Sequence, residues 1–288
     1  MPELPDLTVY CEALETRILG QPLESAALAS PFLLRTVDPP LDSFIGLAPA
    51  AIRLLGKRIC IGFPGDSWLA IHLMILGRLH WNRRAGKPLL TLMFASGALT
   101  LTESGSERRA SLHAFSSSAA LQSLDAGGKD PLSLSLPEFE ALARSENHTL
   151  KRFLTGPEFL SGIGNAYSDE ILHRARLSPL ALTRKLAAEE LARLHAAMRA
   201  VLAEWTARLR EEARGGFPEK VTAFRPEMAV HGKFKQPCPG CGTKVQRIRY
   251  AANETNYCPL CQTGGRLLAD RAMSRLLKQD WPRTIGQA

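Results

Sequence analysis

The stretch CPGCGTKVQRIRYAANETNYCPLC, residues 238–261, decides how this 288-residue chain is organised. One Cys-x-x-Cys knuckle (Cys238, Cys241) opens it and a second (Cys258, Cys261) closes it, with 16 residues between them. Two knuckles so spaced can present four thiolates tetrahedrally to zinc. The intervening Val245, Arg247 and Arg249 alternate as one arm of a hairpin would. Arms this short bury too little surface to fold by themselves, so one zinc ion is the expected cofactor and its binding is coupled to folding. Four protein ligands close the coordination shell, which makes the ion structural rather than catalytic.

The surroundings of this ribbon are basic. From Ala229 to the end there are ten Lys/Arg against three Asp/Glu, within a chain whose formal net charge is +8. Concentrated positive charge favours a polyanionic partner such as nucleic acid. Beyond the ribbon, Leu267–Leu277 has the spacing of a helix. Upstream, Leu136–Ser145, Leu150–Leu154, Ala166–Ala175 and Ala187–Glu211 are helical in pattern, and Arg214-Gly215-Gly216-Phe217-Pro218 ends that block. Ser116–Asp130, small and polar, is expected to be a connector.

Nearer the start the period changes again. Leu7–Leu19 has helical apolar spacing and stops at Gly20. Runs rich in Ile, Leu and Phe follow at 58–63, 68–75, 89–94 and 98–102, separated by turn signals, which predicts an antiparallel sandwich or barrel after one helix. Cys11 and Cys60 lie in apolar surroundings and are expected to be buried thiols. MPELPD carries acidic residues where a secretory signal needs basic ones, and no apolar run of about 18 residues occurs. A cytoplasmic protein with no membrane partner is expected. If Met1 is trimmed, Pro2 exposes a secondary amine that is less basic than lysine and able to attack a sugar C1′, with Glu3 beside it to move protons.

MPELPD at the start, Gly56-Lys57, FLSGIGNAYSDEIL at 159–172 and the four-cysteine ribbon occur here in one order. Together they resemble the formamidopyrimidine-DNA glycosylase/endonuclease VIII family of base-excision repair enzymes, over nearly the whole chain. The resemblance implies an α+β multidomain fold: an N-terminal helix plus β-sandwich (1–128), a helix–two-turn–helix helical domain (129–228), the zinc ribbon (229–262) and a C-terminal extension (263–288), expected to be helical. It implies a monomer acting on double-stranded DNA with damaged bases or abasic sites, associated with the nucleoid if bacterial. Pro2 would be the nucleophile, Glu3 the general acid, and Lys57 a phosphate contact on a sandwich strand. Gly162, Gly164 and Asn165 would form the phosphate-holding hairpin, with Lys151 a basic residue ahead of it. Glu170 also matches a family position, with a helix-stabilising role the other reading. Met74, or Ile75 next to it, would fill the space left by a flipped base, and Arg108 would face the orphaned partner.

Three departures stand out. Ala110 occupies the place where the family carries an inserting Phe. Asn253 stands where a ribbon Arg usually binds phosphate, with Glu254 beside it and Arg247 or Arg249 on the opposite arm as possible substitutes. The segment Gly216–Val230 is short for a loop covering 8-oxoguanine. The expected activity is removal of oxidised bases through a Schiff base at Pro2, followed by β,δ-elimination. The alternative is a non-catalytic or altered-specificity protein of the same family that binds damaged DNA.

Overall fold

The computed structural model describes residues 1–83, 86–105, 108–218, 221–222, 224–250, 253–269, 275–277 and 282–287. They cluster into two compact units, the first made of Met1–Ala126 with Trp205–Thr222, the second of Gly127–Glu204 with Ala223–Ala288. Among them no helix is long and apolar enough to cross a membrane.

The first unit begins with α1 (Leu4–Ile18), whose Leu7, Tyr10, Leu14 and Ile18 recur at helical spacing and are fully buried. Among the described residues eight strands follow: β1 (Leu23–Leu28), β2 (Ala51–Leu55), β3 (Arg58–Phe63), β4 (Ser67–His72), β5 (Gly77–Trp81), β6 (Leu90–Phe94), β7 (Gly97–Glu103) and β8 (Ser111–Phe115). They form two antiparallel sheets, ordered β1-β6-β7-β5 and β2-β3-β4-β8. Leu90, Leu92, Leu99 and Leu101 from one sheet share a core with Ile59, Ile61, Leu69 and Ile71 from the other. This is the helix-led sandwich the sequence predicts. The runs at 58–63, 90–94 and 97–103 lie where expected, and β4 stops at His72 rather than at 75.

Two segments differ from their expected character. The polar stretch after Ser116 holds a short helix, α2 (Ser118–Leu121), because the Ser117 hydroxyl caps it and the Asp66 carboxylate accepts from both the amide and the hydroxyl of Ser118. Leu121 is thereby buried against Trp68 and Cys60. The segment after residue 214 also contributes to the core. Phe217 and Val221 belong to the first unit's core, and Phe217 packs 5.5 Å from the Tyr10 ring.

The second unit contains α3 (Leu136–Ser145), α4 (Leu150–Thr155), α5 (Asn165–Ala175) and the start of α6 (Ala188–Ala213), whose residues from Trp205 on cluster with the first unit. These are the helices the pattern predicts. The ribbon follows as the hairpin β9 (Gln246–Tyr250) and β10 (Asn253–Tyr257), then α7 (Pro259–Thr263). Of the helix expected at 267–277, residues 270–274 lie outside the described residues and 275–277 are helical. Leu267, Leu268 and Ala269 are not helical; the Leu267 amide donates to the Arg283 carbonyl and the Leu268 amide to the Tyr257 hydroxyl.

Candidate functional site

In the first unit, Pro2 and Glu3 are buried at the head of α1. Glu3 is the N-cap: its carboxylate accepts from the Asp6 amide while the Asp6 carboxylate accepts from the Glu3 amide at 3.1 Å. The reciprocal pair fixes the backbone on which Pro2 rides. Burial lowers the pKa of the chain's amino group, on Met1. Arg78 and Lys57 lower it further, and Glu3 and Asp6 oppose them. Lys57 thus belongs to the same charged neighbourhood as the amino terminus. It sits not on a strand, as expected, but in the two-residue turn joining β2 to β3, where Gly56 takes φ +60°. Arg78, at the start of β5, is an addition that no motif announced.

The turn 74–76 also belongs to this unit. Met74 adopts φ +53° and is half-buried, whereas Ile75 is 57% exposed and Leu76 40% exposed, so the apolar tip is Ile75-Leu76. Arg108 is exposed. Ala110, however, is a core residue at 3% exposure, held there because the Glu103 carboxylate accepts from the amides of Arg109 and Ala110 at 3.0 Å each. It cannot take the place of an inserting aromatic ring.

In the second unit, Gly162 adopts φ +79°, Ile163 is buried, and Gly164 is the N-cap of α5. A glycine cap adds no side chain of its own to this helix end, which attracts anions through its amides and its dipole. The Asn165 side chain donates to the Asn253 side-chain oxygen at 3.1 Å, bringing two of the expected phosphate-contacting residues together. Lys151 turns inward instead. Its ammonium donates to the Asn165 carbonyl (2.9 Å), the Ser168 hydroxyl (2.8 Å) and Asp169 Oδ1 (2.6 Å), which uses all three of its donors. It therefore buttresses the hairpin from behind and does not present charge outward.

Asp169 is fully buried, and its other oxygen accepts from His231 Nδ1 (2.8 Å) and the Asn256 amide (3.1 Å). Glu170 accepts from the amides of Ala229, Val230 and His231 at 2.7, 2.9 and 2.9 Å. Burial pushes the Glu170 carboxyl up, against the pull of those three donors. Glu170 is thus tied to the segment leading into the ribbon, and its charge also acts on Arg174, four residues on in α5. Motif reading misses Asp169 and His231. Two consecutive acids on a helix, both facing inward, are the signal that could expose them.

The four cysteine sulfurs lie within 4.8 Å of one another, with Cys238–Cys261 at 3.9 Å and Cys241–Cys258 at 3.4 Å. Zn–S bonds of about 2.3 Å in a tetrahedron place sulfurs about 3.8 Å apart, so the set fits one structural zinc ion. On the hairpin, Glu254 Oε2 accepts from Arg249 Nε at 3.0 Å and pairs with Arg247 at 3.3 Å, while the Arg247 guanidinium lies 4.1 Å from the Phe234 ring centroid. The two arginines read as substitutes for a ribbon Arg are both held by the one acidic side chain between 229 and 269.

Three family models match the chain: the formamidopyrimidine-DNA glycosylase N-terminal domain over residues 1–111, the H2TH domain of the same enzymes over 128–211, and a zinc finger found in FPG and IleRS over 235–264. The formamidopyrimidine-DNA glycosylase of Heliobacterium modesticaldum is 30% identical, the alignment covering 91% of this chain and all of that protein. An uncharacterised formamidopyrimidine-DNA glycosylase-like protein of Mycobacterium tuberculosis is 41% identical over 52% of this chain and 94% of its own length. Among solved structures, MutM (Fpg) of Thermus thermophilus is 29% identical with a TM-score of 0.78, covering 91% of this chain and 98% of that one. The Lactococcus lactis Fpg mutant G226P, solved with DNA containing Fapy-dG, is 26% identical with a TM-score of 0.78, covering 91% and 100%.

Two outcomes follow from this geometry. Asp169→Asn leaves the Lys151 ammonium buried beside a neutral amide and is expected to cost about 3–5 kcal/mol. Urea melts of the zinc-loaded chain measure this, and an unshifted midpoint contradicts it. Burial pushes His72 down to about 4, with Arg58, Lys57 and His113 adding to the effect. Unfolded His72 gains its proton near 6.5, so its contribution to stability is complete above that pH and is lost as pH falls towards 4. His72→Gln is expected to flatten the stability–pH curve across that window; parallel curves contradict it.

Proposed function

The chain belongs to the formamidopyrimidine-DNA glycosylase family of base-excision repair, and from that premise we propose that it is a bifunctional glycosylase and abasic-site lyase with Pro2 as nucleophile. The observation that carries this reading is the buried pair Pro2-Glu3 at a capped helix start, where burial, Arg78 and Lys57 favour a neutral amine. Trimming of Met1 would move that amine to Pro2.

The substrate is damaged duplex DNA, whose target nucleotide must leave the stack before C1′ can be reached. The Pro2 nitrogen attacks C1′, and the glycosidic bond breaks as the base departs with its electron pair and gains a proton. Loss of the amine proton gives a neutral N-glycosyl adduct; its C1′–O4′ bond then breaks, O4′ takes a proton, and the nitrogen lone pair closes a ring-opened iminium, with Glu3 serving the proton transfers. The iminium acidifies C2′, so proton loss there expels the 3′ phosphate; a second elimination expels the 5′ phosphate. Lys57 contributes positive charge for a backbone phosphate. The Gly162–Asn165 hairpin and the start of α5 offer a second phosphate position, with Asn165 and Asn253 as donors. Ile75 and Leu76, more exposed than Met74, are the better placed to fill the vacated stack, and Arg108 is the side chain assigned to the orphaned base.

Borohydride reduction of the iminium provides the test. The Met1-trimmed protein is expected to form a covalent adduct with duplexes containing formamidopyrimidines, oxidised pyrimidines or abasic sites, and Pro2→Gly to abolish it. Binding without any adduct on all three would leave a damaged-DNA-binding protein instead. A second outcome concerns the ribbon. Glu254→Gln removes the carboxylate that engages Arg247 and Arg249. It is expected to tighten duplex binding and steepen the plot of log K against log salt by about 1. An unchanged slope would show that those arginines do not meet phosphate.

A further inference from the structure

Helix α5 meets the ribbon along one stripe. Asn165 touches Asn253, Asp169 holds Asn256, and one turn further His173 places Nε2 3.2 Å from Cys238 Sγ. The positions 165, 169 and 173 recur at i+4, so one face of the helix carries all three contacts. Cys238 is 2% exposed, which leaves water almost no access to its sulfur. A zinc-bound thiolate keeps much of its negative charge and needs donors; buried away from water, it must find them in the protein. Cys258 has a backbone donor, the Cys261 amide at 3.5 Å. Beside Cys238 Sγ lies the His173 ring nitrogen Nε2, which can donate when it carries the ring proton.

We propose that His173 is a positioning residue of the zinc centre, a neutral imidazole whose Nε2–H donates to the Cys238 thiolate. The sulfur of a metal-bound thiolate can only accept, so the proton must sit on Nε2. The other tautomer would press a nitrogen lone pair against sulfur lone pairs at 3.2 Å. Donation draws charge from the thiolate, lowers the repulsion among four like-charged ligands and holds the Cys238 sulfur at its vertex. Partners outside the coordination shell act on metal retention in this way. The bond also ties the metal to the helix whose first turn carries Asn165, so the ribbon and the hairpin share one rigid support.

Three readouts on the full, zinc-loaded chain test the proposal, and none depends on activity. In the wild type, nitrogen-15 shifts of the His173 ring are expected to show a protonated Nε2 and an unprotonated Nδ1; the reverse assignment overturns it. His173→Met keeps length but has no donor, and is expected to lose zinc to excess chelator about 10- to 100-fold faster. His173→Gln retains an N–H and is expected to recover most of that loss. In the cobalt-exchanged chain, His173→Met should move the sulfur-to-cobalt charge-transfer band to longer wavelength, and His173→Gln should move it back. Wild-type zinc retention and an unchanged cobalt spectrum in His173→Met would reduce the contact to packing. The nitrogen-15 measurement decides the matter even if that variant does not fold.

Discussion

The second unit is organised around a carboxylate that water cannot reach. Asp169 is fully buried on α5, and its two oxygens take a lysine ammonium, an imidazole and a backbone amide from three separate parts of the chain. A buried charge is tolerated only when such partners are complete, and removing one of them leaves an uncompensated ion. Asp169 therefore dictates where α4, the segment around His231 and strand β10 lie. Glu170 extends the same logic by closing three amides in a row. The hairpin at 162–165 is stiff because Lys151, neutralised by Asp169, also ties down the Asn165 carbonyl and the Ser168 hydroxyl.

This arrangement separates support from reach. Lys151 is spent on the interior, so the phosphate contact proposed near the hairpin would fall to backbone donors and to asparagines. Those are neutral groups, whose contacts with phosphate add direction more than long-range attraction. Charge is supplied elsewhere, by the basic ribbon, and there Glu254 tempers it by engaging Arg247 and Arg249 together. Exposed pairs of this kind contribute little to stability, so exchanging the carboxylate for a phosphate costs the fold little.

Much of this is legible in the residues. The knuckles, the glycine-asparagine hairpin and the helical periods ahead of residue 214 predict the observed elements closely, because each depends on local spacing. Strands β1, β2, β5 and β8 are not evident in the same way. LESAAL, AIRLL, GRLHW and SLHAF are short and mix small or polar residues with apolar ones, and only pairing with neighbours settles them. The role of Lys151 escapes a sequence reading for the same reason that Asp169 does. A lysine before an anion-binding turn suggests an outward cation, yet its partner Asp169 is 18 residues on and bonded to β10, 87 residues beyond that. Ala110 is a similar case: its fate follows from the Glu103 carboxylate, which folds the loop inward. Nor does α2 show in its composition, since a four-residue helix depends on the cap at Ser117 and on Asp66.

Amide hydrogen exchange tests the buried-acid support most directly. If Asp169 and Glu170 hold the ribbon's approach to α5, the amides of Ala229, Val230, His231 and Asn256 exchange as slowly as those in the middle of α5, although three of them lie in a segment with no regular structure. Exchange of these amides at the rate of an open loop, with α5 still protected, would show that the carboxylates do not carry the load assigned to them.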